Sequence, residues 1–170
     1  MFIADLHCDT ISLLFQSGEP LLHNSAHFDL ERASSAGIRL QVFALFVSPA
    51  EGSNMLRQVL KQMDYFHEQI ALNPDLAYLV CCYDDLQAPG HADKIGCLLH
   101  LEGADALGGE LEMLRLMHRL GLRSLGLTWN HRNTIADGVM EGDPGAGLSR
   151  LGRKMIQEMA RLDMVLDLAH

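Results

Sequence analysis

Three places in this 170-residue sequence set ligand-type side chains at the end of an apolar run. The first is Asp5-Leu6-His7-Cys8-Asp9. Residues two apart on a strand point to one face, so Asp5, His7 and Asp9 are expected to project together. An imidazole beside a carboxylate suits a divalent transition metal such as zinc. His-x-Asp also occurs at His27/Asp29 and His91/Asp93, so the pattern alone is not specific. Context separates the three, because only His7/Asp9 closes an apolar run, where parallel β/α folds place their sites.

The second place is Leu98-Leu99-His100-Leu101-Glu102-Gly103. An acid closing a buried strand must be paired or protonated, because an unpaired buried charge is costly, and a metal would satisfy it. The bland alternative is a solvated Glu at the start of a loop. His100 shares the strand face with Glu102 and reads as a partner behind it or as a satisfied core histidine. The third place is Val165-Leu166-Asp167-Leu168-Ala169-His170, again a polar pair after an apolar run. Ligand types at three strand ends are a less probable accident than at one, and this convergence carries the case.

The elements that must position these residues follow from periodicity. Expected strands are Phe2–Cys8, Ile38–Val47, Ala77–Tyr83, Ile95–Leu101, Ser124–Trp129 and Met164–Leu168, several of them apolar on both faces as in a parallel sheet. A helix is expected after Ser53 as N-cap, with Met55, Leu56, Val59, Leu60, Met63, Phe66 and Ile70 on one stripe, stopping before Asn73-Pro74. A second spans about Glu110 to Leu120, with Leu111, Leu114 and Met117 facing in and Gly121 just past its end. A third follows Ser149 and buries Met155, Ile156, Met159 and Leu162. The Met-rich stripes read as core packing. Strand–helix alternation gives an α/β fold of βαβ units wound in one sense.

Composition narrows the function. The formal net charge is −9, and the 13 Lys and Arg residues form no run, so nucleic acid is not an expected partner. The acidic balance reads as a solvated surface. Cys8, Cys81, Cys82 and Cys97 show no CxxC spacing, which argues against a zinc ribbon or thioredoxin-like motif. Cys8 and Cys97 lie in apolar runs and read as small hydrophobes. Met1-Phe2-Ile3 leads into Asp5 without a basic segment, no apolar stretch is long enough to span a membrane, and a reducing cytoplasm is the expected location. The Gly142–Gly147 segment (GDPGAG) lacks the Gly-Lys-Ser/Thr ending of a phosphate loop and reads as a surface loop before a helix.

The ordered set Asp5-Leu6-His7-Cys8-Asp9-Thr10, Gln41-Val42-Phe43, Glu102-Gly103, Leu127-Thr128-Trp129-Asn130 and Gly147-Leu148-Ser149 leading to Asp167-Leu168-Ala169-His170 resembles the membrane (renal) dipeptidase family of zinc metallopeptidases. The resemblance spans essentially the whole chain and is far more specific as a set than in any member. It implies a β/α barrel of the amidohydrolase type with two zinc ions. His7 and Asp9 would bind the first, Glu102 would bridge both, and His170 would bind the second. The implied reaction is dipeptide hydrolysis by a metal-bound hydroxide, because two cations lower the pKa of water and stabilise the oxyanion. In well-studied members a substrate-contacting His follows Leu-Thr, where Trp129 stands here. His131, two residues on, would share the face of Trp129 in a strand-like segment and is the candidate for that role, with Trp129 alternatively a packing residue.

Two further expectations concern extent. Six strands are too few for a closed eight-stranded barrel of about 250 residues, and the family carries a further His and Asp ligand beyond the position of His170. Residues 1–170 are therefore expected to form one domain, a partial (β/α)8 TIM-type barrel from the N-terminal part of a metallo-dipeptidase. Weak or no peptidase activity, and self-association through exposed strand edges, are expected of these residues alone. A metal-dependent phosphoesterase opening with Asp-x-His-x-His is the nearest enzymatic rival, but Asp9 replaces its second His and no downstream His-x-His occurs. A catalytically silent, metal-binding partial barrel is the alternative outside the enzymes.

Overall fold

The computed structural model describes residues 2–142 and 145–170. In chain order it contains β1 (Ile3–Cys8), α1 (Thr10–Ser17), α2 (Leu30–Ala36), β2 (Ile38–Leu45), α3 (Met55–Leu72), β3 (Ala77–Leu79), α4 (Tyr83–Gln87), β4 (Ile95–Leu101), α5 (Leu111–Arg119), β5 (Leu122–Gly126), α6 (Arg150–Arg161) and β6 (Val165–Asp167), with short 3₁₀ turns between some of them. The fold class is α/β with parallel strands, and the succession of elements is that of a partial (β/α)8 barrel, as the sequence predicts. The residues form two compact units, Met1–Leu45 with Gln58–Leu99, and Phe46–Arg57 with His100–His170.

In the first unit β1, β2 and β4 follow one another as neighbours, and β3 also pairs with β4. The β1–β2 and β3–β4 pairings are parallel. Phe43 on β2 is fully buried, with Phe28 edge-on at 5.2 Å and Phe66 tilted at 5.6 Å. α3 buries Val59, Met63 and Phe66 as expected, but Leu60 is 39% exposed while Gln62 and Gln69 are buried. Hydrogen bonding explains the rotated face. Gln62 Oε1 accepts from the Ser12 hydroxyl at 3.1 Å, and Gln69 Oε1 accepts from the Leu21 N–H at 2.8 Å. Ser53 does not cap α3. Ser48 instead caps a 3₁₀ stretch, Pro49–Asn54, that leads into it. β3 is shorter than expected because the Asp85 carboxylate takes the Cys81 and Cys82 N–H groups at 2.7 and 2.8 Å, turning the chain into α4. These bonds also hold the Asp85 carboxyl below the usual carboxylate range.

In the second unit β5 and β6 pair in parallel, with Ser124 opposite Val165 and Gly126 opposite Asp167. α5 buries Leu114 and Met117, ends at C-cap Leu120, and is followed by Gly121. α6 starts at N-cap Ser149, whose hydroxyl accepts the Gly152 N–H at 2.9 Å, and buries Met155 and Met159. β6 is shorter than the expected Met164–Leu168 strand. Met164 before it is buried, but Val165 and Leu168 are exposed, because β6 is last in the strand order. The Gly142–Gly147 loop includes Asp143 and Pro144, which lie outside the described residues; the others in it are exposed. No described helix is long and apolar enough to cross a membrane.

α6 approaches the preceding loop so closely that a Cβ on Gly152 would lie 2.2 Å from the Ile135 carbonyl oxygen. Gly to Ala in a helix normally stabilises by about 1 kcal/mol. Here the sign is expected to reverse, with Gly152→Ala losing about 1–3 kcal/mol through overpacking against backbone. Thermal unfolding of the variant checks this, and an unchanged or raised midpoint would contradict the close approach.

Candidate functional site

β1 delivers His7 and Asp9 to the end of the first strand, though not by simple alternation. The β1–β2 register is interrupted between Asp5 and Cys8, where three residues of β1 advance against two of β2. Asp9 lies just past the strand at the N-cap position of α1, yet its side chain makes no capping bond. It turns instead toward His7, with His7 Nε2 and Asp9 Oδ1 3.5 Å apart and both side chains largely exposed. The His7 N–H donates to Asp5 Oδ1 at 3.2 Å. Cys8 between the two ligand candidates is no nucleophile, because burial pushes its thiol up to about 12. Burial raises the Cys97 thiol as well, in keeping with both as small hydrophobes.

In the second unit Glu102 follows β4 with its side chain 10% exposed, and His170 Nε2 lies 3.0 Å from Glu102 Oε1. The other ring nitrogen of His170, Nδ1, is 2.9 Å from Asn130 Oδ1. His100 is buried, which fits either reading of it as a partner behind Glu102 or as a core histidine. Its Nδ1 meets the Ser124 hydroxyl at 2.9 Å and its Nε2 faces Asp167 Oδ2 at 3.6 Å. Trp129 packs on Phe46 at 5.1 Å and lies 6.3 Å from the His170 ring.

His131 is exposed, and the strand argument for it does not hold. β5 stops at Gly126 rather than Trp129, because the Leu127 carbonyl is taken by the Asn133 amide at 2.8 Å and the Ala104 N–H at 3.2 Å. Residues 129–131 are loop, so two-residue spacing does not set a common face there.

One member of each weaker His-x-Asp pair has structural work. Asp29 is buried as the N-cap of α2 and accepts from the Arg32 N–H at 2.7 Å and Arg32 Nε at 2.6 Å. Burial opposes its ionisation, but these bonds and the Arg32 charge outweigh it and hold its carboxyl below the usual range. His91 stacks on Tyr78 at 3.7 Å and meets the Asp85 carbonyl at 2.7 Å. The residue that sequence reasoning left without a role is Asn130, although it stands in the Leu127-Thr128-Trp129-Asn130 motif.

A parallel α/β protein with imidazole–carboxylate pairs at strand ends falls in a class that includes the metal-dependent hydrolases. Residues 1–170 match the family model of membrane dipeptidase, peptidase family M19, and the chain belongs to that family. It is 28% identical over 99% of its length to an uncharacterized protein in the PQQ-III 3′ region of Acinetobacter calcoaceticus, and spans 63% of that relative. It is 30% identical to the dipeptidase aclJ of Aspergillus oryzae, with 84% of this chain and 36% of that protein covered. Among solved structures, a metallo peptidase from Rhodobacter sphaeroides liganded with a phosphinate mimic of the dipeptide L-Ala-D-Ala matches with a TM-score of 0.84 at 27% identity. That match covers 99% of this chain and 58% of the other. The chain thus spans less than two thirds of each of these relatives.

Proposed function

We propose that the protein is a zinc-dependent dipeptidase, with His7, Asp9, Glu102 and His170 as metal ligands. The observation that supports this is the spacing within two pairs, His7–Asp9 at 3.5 Å and Glu102–His170 at 3.0 Å, in a chain of the membrane dipeptidase family. Two donors about 2.0–2.1 Å from a tetrahedral zinc ion are about 3.3 Å from each other. Each pair is therefore spaced as two ligands of one cation, and the nitrogen–oxygen donor set suits zinc.

In this reading His7 and Asp9, and in the other unit Glu102 and His170, would hold the metal. When bound, such ions lower the pKa of a water molecule and polarise the scissile carbonyl. The chain's own residues orient and bind. The nearly enclosed Glu102 is held in place by its pairing with His170. The exposed His131 is the proposed contact to the dipeptide, while Trp129 packs on Phe46.

Calorimetric titration of zinc, followed by assays of the zinc-loaded protein on dipeptides and phosphate monoesters, tests the reading. Zinc uptake is expected, with any hydrolysis by these residues weak and confined to dipeptides, and in a chain of full family length His131→Ala is expected to raise KM. Hydrolysis of phosphate esters but not dipeptides would overturn the substrate class, and absence of zinc uptake would overturn the metal centre.

A further inference from the structure

We infer that Asn133 is a positioning residue: its side chain ties the turn that carries Glu102 to the loop that grips His170, and so sets the spacing of that pair. The inference rests on the metal-ligand reading of Glu102 and His170 and adds to it the group that holds them in place.

Ligands from separate strand ends must be held to within about 0.5 Å if they are to share an ion. Glu102 follows β4 and His170 follows β6, and the 127–130 segment between them in sequence is loop rather than strand. That segment touches His170 in two places. The buried Thr128 donates its hydroxyl to the His170 carbonyl at 3.5 Å, and Asn130 Oδ1 lies 2.9 Å from His170 Nδ1. The segment also runs against the turn after Glu102. The Ala104 N–H donates to the Leu127 carbonyl at 3.2 Å. Gly103 has φ +84°, and a Cβ there would lie 3.2 Å from Asp105 Oδ2 and 3.4 Å from the Trp129 nitrogen.

Asn133 joins these pieces. Its Nδ2 donates to Asp105 Oδ2 at 3.0 Å and to the Leu127 carbonyl at 2.8 Å. Its Oδ1 accepts the Ile135 N–H at 2.8 Å and the Ala136 N–H at 3.1 Å. A side-chain amide offers two donors and two acceptor lone pairs, and all four are used here. The partners also fix which end is which, because a reversed amide would set oxygen against two oxygens and N–H against two N–H groups. One side chain therefore crosses from the Glu102 turn, through Asp105, to the start of the loop that holds His170.

Reversing the Asn133–Asp105 bond tests this. Asn133→Asp keeps the two acceptor contacts but places a second carboxylate against Asp105. Adding Asp105→Asn restores an amide opposite a carboxylate, with donor and acceptor exchanged. Cobalt(II) is titrated into the whole chain well below each variant's melting midpoint, so that loss of folded protein does not enter. Asn133→Asp is expected to bind about 10-fold more weakly than the parent, and the double variant to return to within a few-fold of it. Unchanged affinity in Asn133→Asp overturns the inference. So does a loss that persists in the double variant once its melting midpoint has recovered. Should Asn133→Asp not fold, Asp105→Ala removes the same bond from the other side, with the same loss expected and unchanged affinity again overturning.

Trp129, the single tryptophan of the chain, lies in the held loop and packs on Phe46. Its emission reads the loop without metal, and is expected to shift to the red in Asn133→Asp and to return in the double variant. A parent that takes up no cobalt refutes the metal reading alone, and the emission then decides the hold: a restored red shift supports it, and an unshifted Asn133→Asp overturns it.

Discussion

Glu102→Ala is expected to weaken zinc binding by at least about 100-fold, more than the loss of a group that only orients a ligand. Glu102 is the candidate with the least solvent around it, and it is already paired with an imidazole that would share the ion. Removing its carboxylate takes away a donor oxygen and the negative charge that offsets the cation. Metal binding to the folded state alone stabilises by mass action, by about 2.7 kcal/mol at a hundred times Kd. For a domain of this size that raises the melting temperature by roughly 5–10 °C. The parent chain should show this zinc-dependent rise and Glu102→Ala should not, while their metal-free melting temperatures stay close. Glu102→Gln keeps the volume and one acceptor oxygen but not the charge, and is expected to follow Ala. A zinc-induced rise retained in both variants would remove Glu102 from the ligand set.

Phe43→Ala is expected to destabilise the chain by about 3–5 kcal/mol, a third or more of the stability of an ordinary domain. The ring has no solvent exposure and contacts two further rings, at 5.2 and 5.6 Å, so truncation opens a cavity and breaks both aromatic pairs. With a urea slope of about 2 kcal/mol/M, the unfolding midpoint should fall by roughly 1.5–2.5 M. Phe43→Leu, which fills most of the space, should cost about 1.5 kcal/mol. Phe43 also pairs in register with Cys8, the residue between His7 and Asp9. The Ala variant should therefore loosen the spacing of that pair, and zinc affinity measured below the unfolding range should fall with stability. A midpoint within experimental error of the parent would show that this aromatic cluster does not hold the first unit together.

The alternation of apolar runs with amphipathic stretches was enough to determine a parallel α/β fold, because period and burial are local properties of the sequence. β4 is found with the bounds expected, Ile95–Leu101, since a strand apolar on both faces has no ambiguous end before Glu102. The candidates His7, Asp9, Glu102 and His170 were legible for the same reason: each is a polar residue where an apolar run stops. Other elements were decided by side chains reaching from distant positions. Asp85 ends β3, Asn133 ends β5, and Gln62 and Gln69 turn α3 away from its most apolar stripe. The pairing of His170 Nδ1 with Asn130, forty residues earlier, belongs to this second kind. Periodicity could place His170 at the end of a strand, but it carries no information about which amide meets the ring. The sequence thus names the candidate ligand residues, and only the tertiary structure decides which nitrogen of His170 faces Glu102, because that choice rests on contacts between residues that folding alone brings together.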